Sequence, residues 1–246
     1  MSLIPKNHPR AKSLYIRERL VHGFDDGLVA KEGLMAHGRG EAFDYLLGEK
    51  TSKHAFNAIH AAAFLLVNSS YPVISVNGNV ASLCSREIVK LAEVVNAKIE
   101  VNLFYANEKR KKNIVNVLRK AGAKEVLGVD PKPSTRILGL DSARRIVDKN
   151  GIYKADVVLV PLEDGDRTIA LKKAGKKIIT FDLNPLSRTA KTADITIVDN
   201  VVRGINRLVI QCKSKKIQKI PFNNKKNLAS CVLDIKKNLS RRLPHA

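Results

Sequence analysis

Tryptophan is absent from this 246-residue chain, methionine occurs twice, and aromatic residues make up only 5% of it. A protein that stacks nucleic-acid bases would need aromatics among its lysines, yet from Val201 onward Phe222 is the sole one. Cysteine is equally sparse. Cys84, Cys212 and Cys231 are odd in number and show no Cys-x-x-Cys spacing, so neither a disulfide framework nor a zinc site is suggested. They read as ordinary thiols in a reducing compartment. The longest apolar run, Ala61 to Val67, falls far short of the ~20 residues of a membrane-spanning helix. Met1 to Arg10 lacks the apolar stretch of a signal peptide. A cytoplasmic protein without a membrane partner is expected. Also missing are Gly-x-Gly-x-x-Gly and the Gly-Lys-Ser/Thr phosphate loop, which weakens the standard dinucleotide and phosphate-loop readings.

Acid is outnumbered by base, 23 residues to 44, for a net charge of +21. Anionic partners of some kind are implied. The surplus is uneven: twelve Lys and Arg and one acid, Asp234, lie in 201–246, leaving +10 for the first 200 residues. The segment Lys213 to Lys226, rich in Lys and Asn, reads as a solvated or weakly nucleic-acid-sticky tail outside any site, with no specific nucleic-acid partner. On that reading a chain truncated near Cys212 should stay folded and active.

Residues 1–70 read as a helical N-terminal region. Leu14, Arg17, Leu20 and Val21 share one helical face, and Ala55, Phe56, Ile59, Ala62, Ala63, Leu66 and Val67 form a second amphipathic stripe. From Tyr71 the pattern changes to short β-branched runs: Val73 to Val76, Ile99 to Phe104, Val126 to Val129, Ala155 to Val160, Lys177 to Phe181 and Ile195 to Val198. Amphipathic helices are expected between them over Glu87 to Val95, Asn107 to Ala121 and Thr168 to Ala174. Such alternation predicts an α/β fold, a doubly wound, mostly parallel, Rossmann-like sheet over 71–212, followed by the basic tail 213–246.

Ligands of open parallel sheets sit beyond the carboxyl ends of the strands, so the turns there are the places to look. Asn77, Gly78, Asn79, Val80 and Ala81 follow the first strand, as either an anion cradle of backbone N–H groups or a tight turn. Glu163, Asp164 and Asp166 with Arg167 follow the fourth. Clustered carboxylates suit hydrated Mg²⁺ on nucleotide phosphates, while Asp166 alone equally suits a helix cap near Arg167. Asp182 to Thr189 follow the fifth, with Pro185 in the first turn of a short helix capped by Asn184, and Ser187, Arg188 and Thr189 as donors to phosphate or ribose. Asp199 and Asn200 end the sixth. Arg17 needs an anionic partner, Glu41 or an Asp if not a ligand. His37 and Arg39 flank Gly38, with Gly40 beyond, as a site or as a plain helix–helix turn.

The strings HGRGEAFDYLLGEKT (37–51), PVISVNGNVASL (72–83), NAKIEVNLFY (96–105), GIYKADVVLVPLEDGDRT (151–168) and DLNPLSRTAKTADITIVDN (182–200) resemble the archaeal phosphopantothenate synthetase family, 4-phosphopantoate:β-alanine ligases. The likeness runs from Ser2 to Leu208 and departs at Cys84 to Arg86, over Lys132 to Leu138, and in the tail. It implies a homodimeric ligase that consumes ATP, 4-phosphopantoate and β-alanine and yields AMP, pyrophosphate and 4'-phosphopantothenate. The family's ATP positions fall on Arg17, Arg39, Asp182, Leu183, Asn184, Ser187, Arg188, Thr189, Asp199 and Asn200. On this reading Arg39, Asp166 and Arg188 are the catalytic candidates, and Asn77 to Ala81 with His37 bind the acid substrate. Glu163 and Asp164 hold Mg²⁺. Two rivals stand beside it: a nucleic-acid binder using the tail, and a different ATP- or NAD-dependent enzyme on the same fold.

Overall fold

The computed structural model describes residues 4–5, 7–162, 165–214 and 216–242. Three helices, α1 (Ala11–Asp25), α2 (Lys31–Leu47) and α3 (Lys53–Val67), come first. α3 starts where Ser52 accepts a hydrogen bond from the Ala55 N–H, and its stripe of Ala55, Ala58, Ile59, Ala62 and Leu66 is buried. In α1 the expected apolar face is only partly inward: Leu20 is buried, whereas Val21 is half exposed. Then follow β1 (Pro72–Val76), α4 (Gly78–Val95), β2 (Lys98–Val101), α5 (Glu108–Lys120) and an antiparallel pair, β3 (Ser134–Arg136) and β4 (Ile146–Asp148). The chain continues through β5 (Val157–Pro161), α6 (Gly165–Lys173), β6 (Lys177–Phe181), α7 (Arg188–Thr192), β7 (Ile195–Ile197), α8 (Val201–Cys212) and α9 (Asn224–Arg242).

The central sheet is parallel throughout, in the order β2-β1-β5-β6-β7. Successive side chains of a strand point to opposite faces, and the core divides accordingly. Ile74, Val76, Leu159, Ile179, Phe181 and Ile197 pack into one cluster with α3, α4, α5 and α8, while Val73, Val158, Val160 and Ile178 pack into a second with α6 and the β3–β4 region. Both faces are covered, as the doubly wound reading requires. Gly204 lets α8 lie directly on the sheet, since a Cβ there would stand 2.4 Å from a ring carbon of Phe181.

Four sequence expectations need correction. Val126 to Val129 is not a strand: it holds β2 only through a bridge between Glu100 and Leu127, because Gly128 turns at φ +82° against the Val101 carbonyl and leads the chain away. The β2 strand itself ends at Val101, not Phe104. The helix expected from Glu87 starts nine residues earlier, because Asn77 Oδ1 caps it by accepting from the Val80 N–H at 3.0 Å. It is non-helical at Cys84 (φ −139°), and there Arg19 of α1 donates to the carbonyls of Ser82 and Leu83.

The tail is the fourth. Most of the described residues of 213–226 are exposed or half-buried, but α9, which starts at Asn224, is docked. Leu228 and Cys231 are buried against Leu47, Ala190 and Val198. Asn224 accepts from the Thr196 N–H, and Asn227 donates to the Thr196 carbonyl, so the tail extends the hydrogen bonding of β7. Among the described residues no helix is long and apolar enough to cross a membrane.

Candidate active site

The strand ends converge on a cavity of about 630 Å³, within the range of small-molecule sites. It lies over the junction of β1 and β5, where the onward connections part toward opposite edges of the sheet. Asn77 closes the junction by donating from Nδ2 to the Leu162 carbonyl at 2.9 Å. The site has two halves.

Over β6 and β7, polar groups are locked to one another. Asp182 accepts from the Asn184 N–H at 2.9 Å and from the Ser187 hydroxyl, and Asn184 accepts from the Leu186 N–H at 2.9 Å. This Asx turn displaces the expected cap: Ser187, not Asn184, starts α7, accepting from the Ala190 N–H at 2.9 Å. Burial pushes the Asp182 carboxyl above the ordinary range, against the pull of Ser187, Asn184 and Arg39. At the end of β7, Asp199 accepts from Thr51 Oγ1 (2.7 Å), the Asn200 N–H (2.8 Å) and Arg203 Nη2 (2.7 Å). Arg203 also grips Asp44 through two bonds of 3.0 and 2.6 Å. With its carboxylate committed in this way, Asp199 serves to place Asn200, which caps α8.

Over β1 and β2 the walls are Asn77, Gly78 and Asn79 from the start of α4, Leu103 to Tyr105 after β2, and two arginines the sequence reading missed, Arg110 and Arg144. Arg110 stands in the first turn of α5, capped by Asn107, so it belongs to the strand-end turn of β2. Arg144 comes from the β3–β4 region, and no spacing in the sequence points to it.

Arg39 and His37 come from α2. The segment His37 to Glu41 is mid-helix rather than a helix–helix turn, and a Cβ at Gly38 would meet nothing within 4 Å. Arg39 is exposed on the cavity wall and makes no hydrogen bond or ion pair among the described residues. His37 Nε2 is buried without a hydrogen-bond partner among them, and desolvation pulls its pKa below the ordinary histidine value, favouring the neutral ring.

Several expected site residues stand apart. Arg17 does not line the cavity; its Nε donates to Glu41 Oε2 at 2.7 Å, the alternative the sequence left open. Val80 and Ala81 are fully buried in the core. Asp166 lies inside α6, not at its cap, and pairs with Arg188 at 2.9 Å, both side chains well exposed. Arg167, instead of facing the cleft, is buried under the sheet and donates to Ser75 Oγ at 3.1 Å. Glu163 and Asp164 lie outside the described residues. Among the described ones no group of three or more His, Cys, Asp or Glu is placed to hold a metal.

A parallel-sheet cleft walled by guanidiniums and by the start of a helix is of the kind that suits small phosphorylated anions. The comparisons narrow this further. The family model of phosphopantothenate/pantothenate synthetase matches residues 54–238, and the chain belongs to that family. It is 51% identical over 247 residues to the 4-phosphopantoate–beta-alanine ligase of Thermococcus kodakarensis, covering 97% of this chain and 94% of that one. It is 45% identical to the ligase of the same name from Methanosarcina mazei, covering 97% and 96%. The match runs through most of α9, so the likeness does not end at Leu208 as the sequence reading had it.

Proposed function

We propose that this protein condenses 4-phosphopantoate with β-alanine at the expense of ATP, in the cleft over β1, β5, β6 and β7. The observation that carries this reading is the two-sided cavity. All but Arg17 of the family's nucleotide positions line it, mainly on the β6–β7 side, and a separate set of anion donors lines the β1–β2 side. A nucleotide and a second anion then lie side by side, as a reaction between them requires.

In this reading the carboxylate of the acid attacks the α-phosphate of ATP, pyrophosphate leaves, and the amine of β-alanine displaces AMP from the acyl adenylate. No protein nucleophile is needed. Arg39 and Arg188 neutralise charge that builds on the phosphates, a matter of fixed electrostatics and positioning. Asp166 holds the Arg188 guanidinium through their ion pair. Asn77, Gly78 and Asn79, with His37, receive the acid. Mg²⁺ enters as a companion of the ATP phosphates, which usually supply much of its coordination, and no step here is routed through it. The protein works as a homodimer in the cytoplasm.

The test is AMP formation from ATP by the purified chain, followed with each substrate left out in turn. AMP release that requires both 4-phosphopantoate and β-alanine is expected. AMP released at the same rate without phosphopantoate would overturn the reading.

A further inference from the structure

Arg110 is held in an unusual way for a half-buried cation. Its Nε and Nη2 both donate to the Leu28 carbonyl, at 3.4 and 3.2 Å, and its Nη1 donates to the Tyr105 carbonyl. Both partners are neutral. No carboxylate lies within ion-pair distance of it among the described residues, and Glu32 on the cavity wall acts only at longer range. Burial accordingly disfavours its charged form. An arginine has five N–H donors, and three are spoken for, so one remains on each terminal nitrogen. That pair is the fork that fits two oxygens of a phosphate.

The guanidinium is also fixed against the start of α4. A Cβ added to Gly78 would lie 2.0 Å from the Leu28 carbonyl oxygen and 3.3 Å from Arg110 Nη2, so helix start, carbonyl and guanidinium are in contact. On the same wall Arg144, mostly buried, sets its guanidinium 6.0 Å from the centre of the Phe104 ring. This corner lies over β1 and β2, at the opposite end of the cavity from Asp182 and Asn200.

We infer that Arg110 binds the terminal phosphate of the acid substrate and is the residue by which the site selects a phosphorylated acid over the free one. The inference rests on the proposed function and adds a direction to it. The carboxylate and the phosphate of 4-phosphopantoate are at opposite ends of the molecule. With the carboxylate turned toward the nucleotide over β6 and β7, the phosphate reaches the β1–β2 corner. Arg144 adds a second cation there, and the fork of Arg110 sets the orientation.

The experiment compares wild type with Arg110→Gln and Arg110→Lys, after wild type has passed the AMP assay above. Three quantities are read: KM for phosphopantoate, KM for ATP, and the inhibition constant of unphosphorylated pantoate as a competitor. In Arg110→Gln the KM for phosphopantoate should rise about 10²-fold, the scale of losing a charge-assisted two-point contact. The other two constants should stay within about twofold. Arg110→Lys, which keeps a charge but not the fork, should rise about tenfold and keeps the question answerable if the glutamine variant fails to fold. A merely structural arginine would weaken pantoate and phosphopantoate alike, and that result overturns the inference. So does a rise in the ATP constant equal to or larger than that for phosphopantoate. If wild type itself makes no AMP with phosphopantoate, the functional reading fails instead, and the two failures are distinct.

Discussion

The two halves of the cleft are built on opposite principles. Over β6 and β7 the polar residues satisfy one another: Asp182 with Ser187 and Asn184, Asp199 with Thr51 and Arg203, Arg203 with Asp44. Over β1 and β2 three of the five donors of Arg110 go to neutral carbonyls, and its charge is left to the cavity. The first half is a preformed mould whose shape does not wait for ligand; the second keeps an electrostatic demand that only an anion meets. A nucleotide, with many contact points, suits a mould. A compact dianion suits a concentrated charge.

The comparison is broken most severely by removing what props the mould from behind. Truncation after Cys212 deletes Leu228 and Cys231 from their apolar cluster and the Asn224 and Asn227 bonds to β7. Summed burial and hydrogen bonding put the loss on the order of 5 kcal/mol, so the chain should unfold at a melting temperature lower by some ~15 °C. This reverses the dispensable tail expected from the sequence. A truncated chain with unchanged melting and activity would show that α9 is an ornament. Next, Asp199→Ala leaves Arg203 facing Asp44 alone in a largely buried setting and should cost roughly 4 kcal/mol in denaturant unfolding, with a raised KM for ATP. Full stability in that variant would mean the mould is not held by this cluster.

Arg39→Lys should fold normally, since Arg39 makes no bond among the described residues, yet lose about 10²-fold in rate, or ~3 kcal/mol of transition-state stabilisation. The defect should appear in pyrophosphate release before β-alanine is added. Normal release with failure only after the amine is supplied would move Arg39 to the second half-reaction.

Beneath the β1–β2 half, Glu100 gives a pH signature. It is wholly buried, accepts from the N–H groups of Ile152 (2.6 Å) and Asp148 (3.2 Å), and burial pushes its pKa up to about 7. A carboxyl raised in the folded state binds a proton that the unfolded chain has already lost. Its contribution is therefore full below the unfolded value near 4.5 and is lost as pH rises through about 7. Relative to Glu100→Gln, the wild type should lose about 2 kcal/mol of unfolding free energy between pH 5 and pH 8. Urea titrations of both proteins across that range measure the difference, and parallel curves would show that Glu100 does not titrate there. The smallest effect belongs to Ser187→Ala: loss of one cap of a five-residue helix, about 1 kcal/mol, with a modest rise in KM for ATP and none for phosphopantoate.

Much of the cavity's lining could be read one strand end at a time. Asn77, Asp182, Ser187, Arg188 and Asn200 each follow a β-branched run and line the cavity, as the rule that ligands sit at such ends predicts. The β2 end obeys the same rule, since Arg110 stands in the first turn of the helix that follows it. Arg167 and Asp199 show its limit from the other side. Both stand at a strand end, but Arg167 turns under the sheet to Ser75 and Asp199 spends its carboxylate on Arg203 and Thr51.

Alternation of β-branched runs with amphipathic helices was sufficient, by itself, to determine a parallel sheet with helices on both faces and a helical start, because burying apolar surface at periods of 2 and 3.6 leaves few other arrangements. The strings quoted for the resemblance pointed to the family, which the match over residues 54–238 shows. What only the tertiary structure decided is which polar groups are consumed within the protein and which face the cavity. Hydrogen bonds such as Thr51 to Asp199, Arg110 to Leu28 and Asn227 to Thr196 join residues 148, 82 and 31 positions apart. Local periodicity carries no record of such pairings; they are set by where the packed elements bring donors and acceptors that must find partners once water is excluded.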